Sequence, residues 1–354
     1  MSVPAQRKRP AEFGIHIGPF PNGPNDAITD VSSVRVGHHT VWQDEPCVAR
    51  TGVTAIVPAA LDSQFARPMA AGIAVLNGAG ELTGSLAIRE WGLLETPILL
   101  TCTMGVGGAY HGAIEAMVAA SPRVGVDDVV IPVVGECDDS WLHDAREYPS
   151  LPPSLARSAI DAATGGPIAS GSIGAGTGMV CFGCKGGIGT ASRVTRHGTV
   201  GVLVLANFGS LDRLTVDGEV VGPRLVSEGY GRGDRPEPAG SCIVVVATDA
   251  PLNAKQCERV ARRAGLGLAR VGSVAHNGSG EIFVAFSTRH RVDRSDRSAA
   301  SAQVQLNDSA LDDLFAATVD ATETAVLDAL YSAETVTGRE GRTIYALPVD
   351  RIHI

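Results

Sequence analysis

The sequence predicts a layered α/β protein in which sheets are sandwiched by helices. Segments with the period of strands alternate along the chain with segments of helical period. Thr199 to Ala206 (TVGVLVLA) and Ile243 to Val246 are dominated by Val, Leu and Ile without polar alternation, the pattern of strands covered on both faces. Glycine is abundant, 42 of 354 residues, while aromatics make up 5%, which suits close-packed sheets and tight turns more than a helical bundle. With 44% hydrophobic residues the chain can form one large core, or two halves packed intimately together.

Residues 1 to 29, rich in Pro, Gly and Asn, read as an irregular arm of the kind that wraps a neighbouring subunit. From Val31, VSSVRVGHHTV and Thr51 to Ala59 read as strands about a turn at Asp44 to Arg50. His38 and His39 fall on opposite faces of such a strand and so do not share a metal. Asn77 to Gly84 is a glycine-punctuated turn entering a helix over Leu82 to Trp91. Ile98 to Cys102 is a short buried strand, and a helix follows from Tyr110 to Ala120 with His111 at its start as a structural or capping residue. Val129 to Val134 is a β-branched strand, at whose end GECDDSWLHD sets Glu136, Asp138, Asp139 and Asp144 within nine residues. Carboxylates clustered there serve either as a solvated, helix-capping turn or as an electronegative pocket for a cationic group.

Gly171 to Gly189 is glycine-rich but binds no nucleotide by pattern. No strand precedes it as a dinucleotide fingerprint requires, and Lys185 stands before its last glycines where a phosphate loop needs Lys-Ser or Lys-Thr after them. Cys181 and Cys184 form a single CxxC with no second pair, so structural zinc is not expected and both are placed on a strand among small residues. The strand at Thr199 to Ala206 ends at Asn207, by position a turn former. The charged, Pro- and Gly-broken run Gly222 to Ala239 reads as a loop. Asn253 with Gln256 forms a capping box for a helix that presents Cys257, Val260, Ala261 and Ala264 to the core and stops at Gly265. Ser279 and Glu281, two apart on the strand that follows, share one face. Arg289 to Ser301 is a loop, Ser309 to Ala333 a helix, and Ile344 to Pro348 a last short strand.

The chemistry centres on Gly240-Ser241, where the charged loop meets the buried strand. A serine hydroxyl needs a base to take its proton, and if the bond before Ser241 is cut, the new α-amine of the same residue can be that base. An α-amine titrates near 8, so roughly a quarter of it is neutral at about pH 7.5. Glycine on the leaving side has no Cβ and lets the hydroxyl approach the preceding carbonyl.

GSCIVVVATDAPL (from Gly240) and NGSGEIFVAFST (Asn277 to Thr288) resemble the DmpA-type self-processing aminopeptidases, the family of L-aminopeptidase/D-amidase-esterase and β-peptidyl aminopeptidases. So do DVSSVRVGHHT (from Asp30), NGAGELTG (from Asn77), PVVGECDDSWL (from Pro132) and GSIGAGTGMVCFGCKGGIGTASR (from Gly171), in the family's order across nearly the whole chain. The resemblance implies an αββα sandwich of the DmpA/ornithine acetyltransferase type, N-terminal-nucleophile-like, in which 1–240 and 241–354 are fragments of one processed catalytic domain. It implies Ser241 as nucleophile, Asn207 as oxyanion donor, Ser279 and Glu281 as partners of the nucleophile and its amine, and Glu136 as holder of the substrate amine. Asp138 stands where some relatives have an active-site tyrosine, which makes the pocket more acidic. No metal or organic cofactor is required, and homo-oligomers of processed heterodimers are implied. Two rivals share parts of this pattern: an ornithine-acetyltransferase-like acyl transfer, against which Ser241 in place of threonine counts, and a non-catalytic binding protein on an unprocessed scaffold.

A net charge of -9 argues against nucleic acid or an anionic membrane as partner and for a small peptide or aminoacyl amide. The basic N-terminal cluster has no apolar stretch behind it, and no run approaches the roughly 20 apolar residues of a membrane span, so a cytoplasmic protein is expected. Seven cysteines, an odd set in a chain this long, read as reduced core thiols.

Overall fold

The computed structural model describes residues 8–146, 151–231 and 240–352. The first part of the chain runs β1 (Arg35–Gln43), β2 (Ala49–Val57), α1 (Leu61–Ala66), β3 (Met69–Gly78), α2 (Ser85–Trp91), β4 (Leu93–Leu94), β5 (Ile98–Cys102), α3 (Val106–Ala120), β6 (Val133–Cys137) and α4 (Pro153–Asp161). A hairpin of β7 (Val180–Cys181) and β8 (Cys184–Lys185) leads into β9 (Gly187–Thr195) and β10 (Gly198–Asn207). After them come the short pair β11 (Thr215–Val216) and β12 (Glu219–Val220), then α5 (Gly222–Ser227). The remainder is β13 (Ser241–Thr248), α6 (Ala254–Ala261), α7 (Ala264–Arg270), β14 (Gly280–Arg291), α8 (Leu311–Ser332), and the pair β15 (Val336–Thr337) and β16 (Thr343–Ile344).

Two sheets lie face to face. One has the order β1-β2-β5-β6, the other β4-β3-β14-β13-β10-β9. Alternation along the central strands makes the layers: Leu203, Leu205, Ile243 and Val245 point between the sheets, toward Ile56, Ile98, Leu100 and Val133. Their neighbours Val202, Val204, Val244 and Val246 point the other way, into a core shared with Cys257, Val260, Leu268, Leu314 and Leu327 of α6, α7 and α8. The outer face of the smaller sheet, with Val53, Ala55, Leu99 and Val134, is closed by Ala109, Ala113, Ala156 and Ile160 of α3 and α4. The result is the αββα sandwich. β13 is buried along its whole length because it has strands on both edges and a layer on both faces.

Several boundaries differ from the expectation for physical reasons. Residues 129–132 do not pair: Val129 and Ile131 are exposed, and β6 begins only at Val133, where β5 offers its edge. Glu136 therefore lies inside a strand and not in a turn after one. α2 starts at Ser85, after Gly84 takes a left-handed φ of 72°, which leaves Leu82 to bridge to Gly135. α3 begins four residues before Tyr110 and takes in Gly107 and Gly108. A β-carbon on Gly108 would stand 1.7 Å from the Leu151 carbonyl oxygen, so glycine here serves close packing and does not mark a loop. The capping box at Asn253 and Gln256 forms in both directions, yet the break falls at Arg262 and Arg263, and Gly265 lies inside α7.

Cys181 and Cys184 do not share one strand. They face each other across a two-residue turn in which Phe182 and Gly183 both have positive φ, the geometry that twists a tight hairpin correctly. α5 occupies the start of the segment expected to be loop throughout, while residues 232–239 of that segment lie outside the described residues. The last strand ends at Ile344. From residue 8 onward the N-terminal arm packs on its own chain: Ile15 and Ile17 are buried, and the Arg9 guanidinium pairs with Asp328 and donates to the carbonyls of Asn25, Asp26 and Thr190. Among the described residues no helix is long and apolar enough to cross a membrane.

Candidate active site

Three strand ends meet at Ser241. In the antiparallel pairing of β10 with β13, Asn207 lies directly opposite Ser241. In the parallel pairing of β13 with β14, Ser241 is level with Gly280 and Cys242 with Glu281. The row Asn207, Ser241, Gly280 is thus set by backbone register, which is rigid where both faces are covered. All the site side chains that follow are buried: Asn207, Ser241, Ser279, Glu281 and Glu136.

Gly240 has a steric reason. A β-carbon there would stand 1.9 Å from the carbonyl oxygen of Asn207, so no other residue fits without moving β10. The Gly240 carbonyl accepts from the Gly280 N–H at 3.3 Å, which gives the oxygen of the Gly240-Ser241 peptide bond a donor already in place.

The Asn207 carboxamide is clamped. Its Oδ1 accepts from the Val180 N–H at 2.8 Å, and its Nδ2 donates to the Asp138 carbonyl at 2.9 Å. These partners fix which end is the donor and leave the second Nδ2 hydrogen for another acceptor. The Val180 side of the clamp is held by Lys185, whose buried ammonium donates to the carbonyls of Gly176, Met179 and Gly186 at 2.8 to 2.9 Å. Burial pulls its pKa down to about 7.

Glu136 reaches the same place from the other sheet. Its Oε1 accepts from the Glu81 N–H at 2.9 Å and its Oε2 accepts from the Thr103 hydroxyl. A β-carbon on Gly80 would be 3.2 Å from Glu136 Oε1 and 3.8 Å from Ser241 Oγ, so both groups border the space over that glycine. The Ser279 hydroxyl donates to Glu281 Oε1, while Glu281 Oε2 has no hydrogen-bond partner among the described residues. Burial raises the Glu281 carboxyl above its ordinary range, against the lowering pull of the Ser279 bond. Asn77 Nδ2 donates to the His276 carbonyl at 2.9 Å and ties the Gly80 loop to the turn before Ser279.

Of the residues named from the sequence, Asn207 stands opposite Ser241 and Glu136 shares with Ser241 the space over Gly80, Ser279 and Glu281 bond to each other on the neighbouring strand, and the Asp138 carboxylate turns away. That side chain is exposed and accepts from the Ser140 N–H at 2.9 Å, while its backbone carbonyl enters the site through Asn207. Asp138 and Thr103 line a pocket of about 610 Å³ beside the site. Thr103, the Glu81 N–H, Val180 and Lys185 were not legible as site residues, since each acts through a backbone group or through another side chain. A buried lysine in a glycine-rich turn was the one available signal. His111, far from this cluster in role, pairs with Glu115 at 3.5 Å on the exposed face of α3.

A buried serine at the head of a central strand of an αββα sandwich, with the Asn207 amide opposite it and the Glu136 carboxylate across the same glycine, is the arrangement of a hydrolase. The model of peptidase family S58 matches residues 26–344, and the chain belongs to that family and is an aminopeptidase. It is 39% identical to the beta-peptidyl aminopeptidase BapA of Sphingosinicella xenopeptidilytica over 97% of this chain and 90% of the relative. Among solved structures, the Burkholderia sp. beta-aminopeptidase superposes with a TM-score of 0.89 at 39% identity, covering 98% of this chain and 97% of that one. The L-aminopeptidase D-Ala-esterase/amidase of Ochrobactrum anthropi, described as a variant of the Ntn hydrolase fold, does so at 0.88 and 37%, covering 97% and 96%.

Proposed function

We propose that the chain cuts itself between Gly240 and Ser241, and that the freed Ser241 removes N-terminal residues from peptides, amides and esters, β-amino acyl groups included. The observation that carries this reading is that Ser241 and Glu136 border the same space over Gly80 while Asn207 stands opposite Ser241 on β10. In maturation, Ser241 Oγ attacks the Gly240 carbonyl carbon. The peptide C–N bond gives way to an ester, and water then releases Gly240 as a carboxylate and Ser241 with a free amine.

In turnover that amine takes the Oγ proton as Oγ attacks the carbonyl of the substrate's first residue. The second Nδ2 hydrogen of Asn207 stabilises the oxyanion, and the proton passes to the departing amine. Water hydrolyses the ester left on Ser241. Glu136, anchored by Thr103 and the Glu81 N–H, holds the substrate ammonium. Glu281, whose Oε2 has no hydrogen-bond partner among the described residues, stabilises the Ser241 ammonium with help from Ser279. The Asp138 carboxylate contributes negative potential at the pocket wall. The inclusion of β-amino acyl groups draws on the beta-peptidyl and beta-aminopeptidase relatives. Ser241 in place of threonine, with aminopeptidase relatives, favours hydrolysis over transfer to ornithine.

The same reading makes the matured unit a heterodimer of fragments 1–240 and 241–354 within homo-oligomers. Exposed Val75, Leu76 and Trp91, gathered in a groove of about 970 Å³, support an association face. Intact mass spectrometry with N-terminal sequencing, then a panel of α- and β-aminoacyl p-nitroanilides, tests the proposal. Fragments meeting at Gly240 and Ser241, with turnover only after cleavage, are expected. An uncut chain that hydrolyses these amides at full rate would overturn it.

A further inference from the structure

We propose that Cys102, Asp139 and His143 form a binding site for one soft divalent transition-metal ion, zinc in the first place, set beneath the substrate pocket and separate from the serine chemistry. Strand register and one turn of chain bring the three together. Cys102 closes β5 and pairs with Cys137, the last residue of β6, two residues before Asp139. The chain then folds so that the His143 N–H donates to the Asp139 carbonyl at 3.0 Å, an i to i+4 turn that puts both side chains on one side. One ligand atom from each residue lies within 4.8 Å of the other two, and all three residues are buried. No other group of three such residues gathers as closely among the described residues.

The chemistry of the donors fits a cation. Asp139 Oδ2 has no hydrogen-bond partner among the described residues. The Asp139 carboxyl and the Cys102 thiol are both buried away from water, and each would give up its proton on binding a metal. Thiolate, carboxylate and neutral imidazole together carry two negative charges, which a dication cancels, and the loaded site is neutral in a place where net charge is costly. A sulfur and a nitrogen ligand select zinc or cobalt over magnesium and calcium. Zinc bonds of about 2.0 to 2.3 Å require the donors to draw inward by roughly 1 Å. Lys185, a buried cation that acts on Asp139, is already held by three carbonyl oxygens and does not fill the role. Asp139 also borders the 610 Å³ pocket, which gives an ion its way in. Because Asp138 is the next residue and its carbonyl holds Asn207, an ion here stiffens the turn that sets the amide.

The test uses the full chain as purified, stripped with a chelator and kept reduced with a phosphine, and titrated with Co²⁺. Expected are one equivalent bound, a sulfur-to-cobalt charge-transfer absorption in the near ultraviolet, its loss on adding Zn²⁺, and a higher thermal midpoint with either ion. Cys102→Ser should lack the absorption and the thermal shift, and His143→Gln should weaken Co²⁺ binding by roughly tenfold or more. Cys47→Ser, at the one cysteine that is not buried, should keep both signals. If Cys102→Ser does not fold, Asp139→Asn is read in its place. Absence of the absorption at saturating Co²⁺, or its survival in Cys102→Ser, overturns the proposal.

Discussion

Glu136 and Ser241 belong to different sheets yet flank the same glycine: a β-carbon on Gly80 would lie 3.2 Å from the carboxylate and 3.8 Å from the hydroxyl. On the proposed reading, an amine held by Glu136 places over the serine a carbonyl two bonds away in an α-amino acyl group and three in a β-amino acyl group, as an enzyme acting at a free N-terminus needs. The carboxylate is anchored at both oxygens, by the Glu81 N–H and the Thr103 hydroxyl, and so is held in place before any ligand arrives.

Glu136→Gln keeps the shape and loses the charge. The expected effect is a rise in KM by roughly 10- to 100-fold, the loss of a charge-assisted bond, with kcat much less affected. Steady-state kinetics on an aminoacyl p-nitroanilide check it, and an equal fall in kcat alone would count against an amine-holding role.

Ser241→Ala should abolish both cleavage on a denaturing gel and turnover. Gly240→Ala separates the two functions of this junction. Its new methyl collides with the Asn207 carbonyl oxygen, so cleavage should slow sharply although the hydroxyl is intact. Mass spectrometry over time on freshly made protein measures this.

Asn207→Ala removes the clamped donor and should lower kcat by about 100- to 1000-fold, near 3 to 4 kcal/mol, with little change in KM. Lys185→Met, which frees the loop carrying Val180, should lower kcat in the same direction by a smaller factor, because the amide remains but is no longer held. Matching kcat and KM from the two variants would show whether Lys185 acts through Asn207.

The Asp139 carboxyl, pushed up to about 8 by burial from an ordinary 3.8, predicts a pH effect on stability. The folded chain holds this proton more tightly than the unfolded one. As pH rises the unfolded state releases it first, and stability falls by up to about 1.4 kcal/mol per pH unit between about pH 4 and about pH 8. Asp139→Asn removes that dependence. Thermal midpoints in chelator should shift in favour of the variant as pH rises across this window, and the gap should stop growing above it.

Much of the site was legible because its motifs are local. Gly240-Ser241 at the mouth of a β-branched run, Ser279 and Glu281 at a spacing of two, and Glu136 in an acidic string each carry their signal within a few residues. Boundaries were less legible where packing overrides pattern: Val129 and Ile131 look like strand but have no strand beside them, and Gly107 and Gly108 look like loop but sit in α3, Gly108 against Leu151. The packing of the arm on its own chain was not legible for the same reason, since the Asp328 that anchors Arg9 is 319 residues away.

By itself, the sequence determined the central strands, the family, and the candidate residues for the chemistry, because alternation, β-branching and short motifs are properties of neighbours along the chain. Only the tertiary structure decided that Asn207 stands opposite Ser241, that Glu136 crosses from the second sheet to the same glycine, and that Cys102 meets Asp139 and His143. Those relations come from register between strands far apart in the chain, and register is set by burying both faces of a sheet at once, which no local stretch of sequence contains.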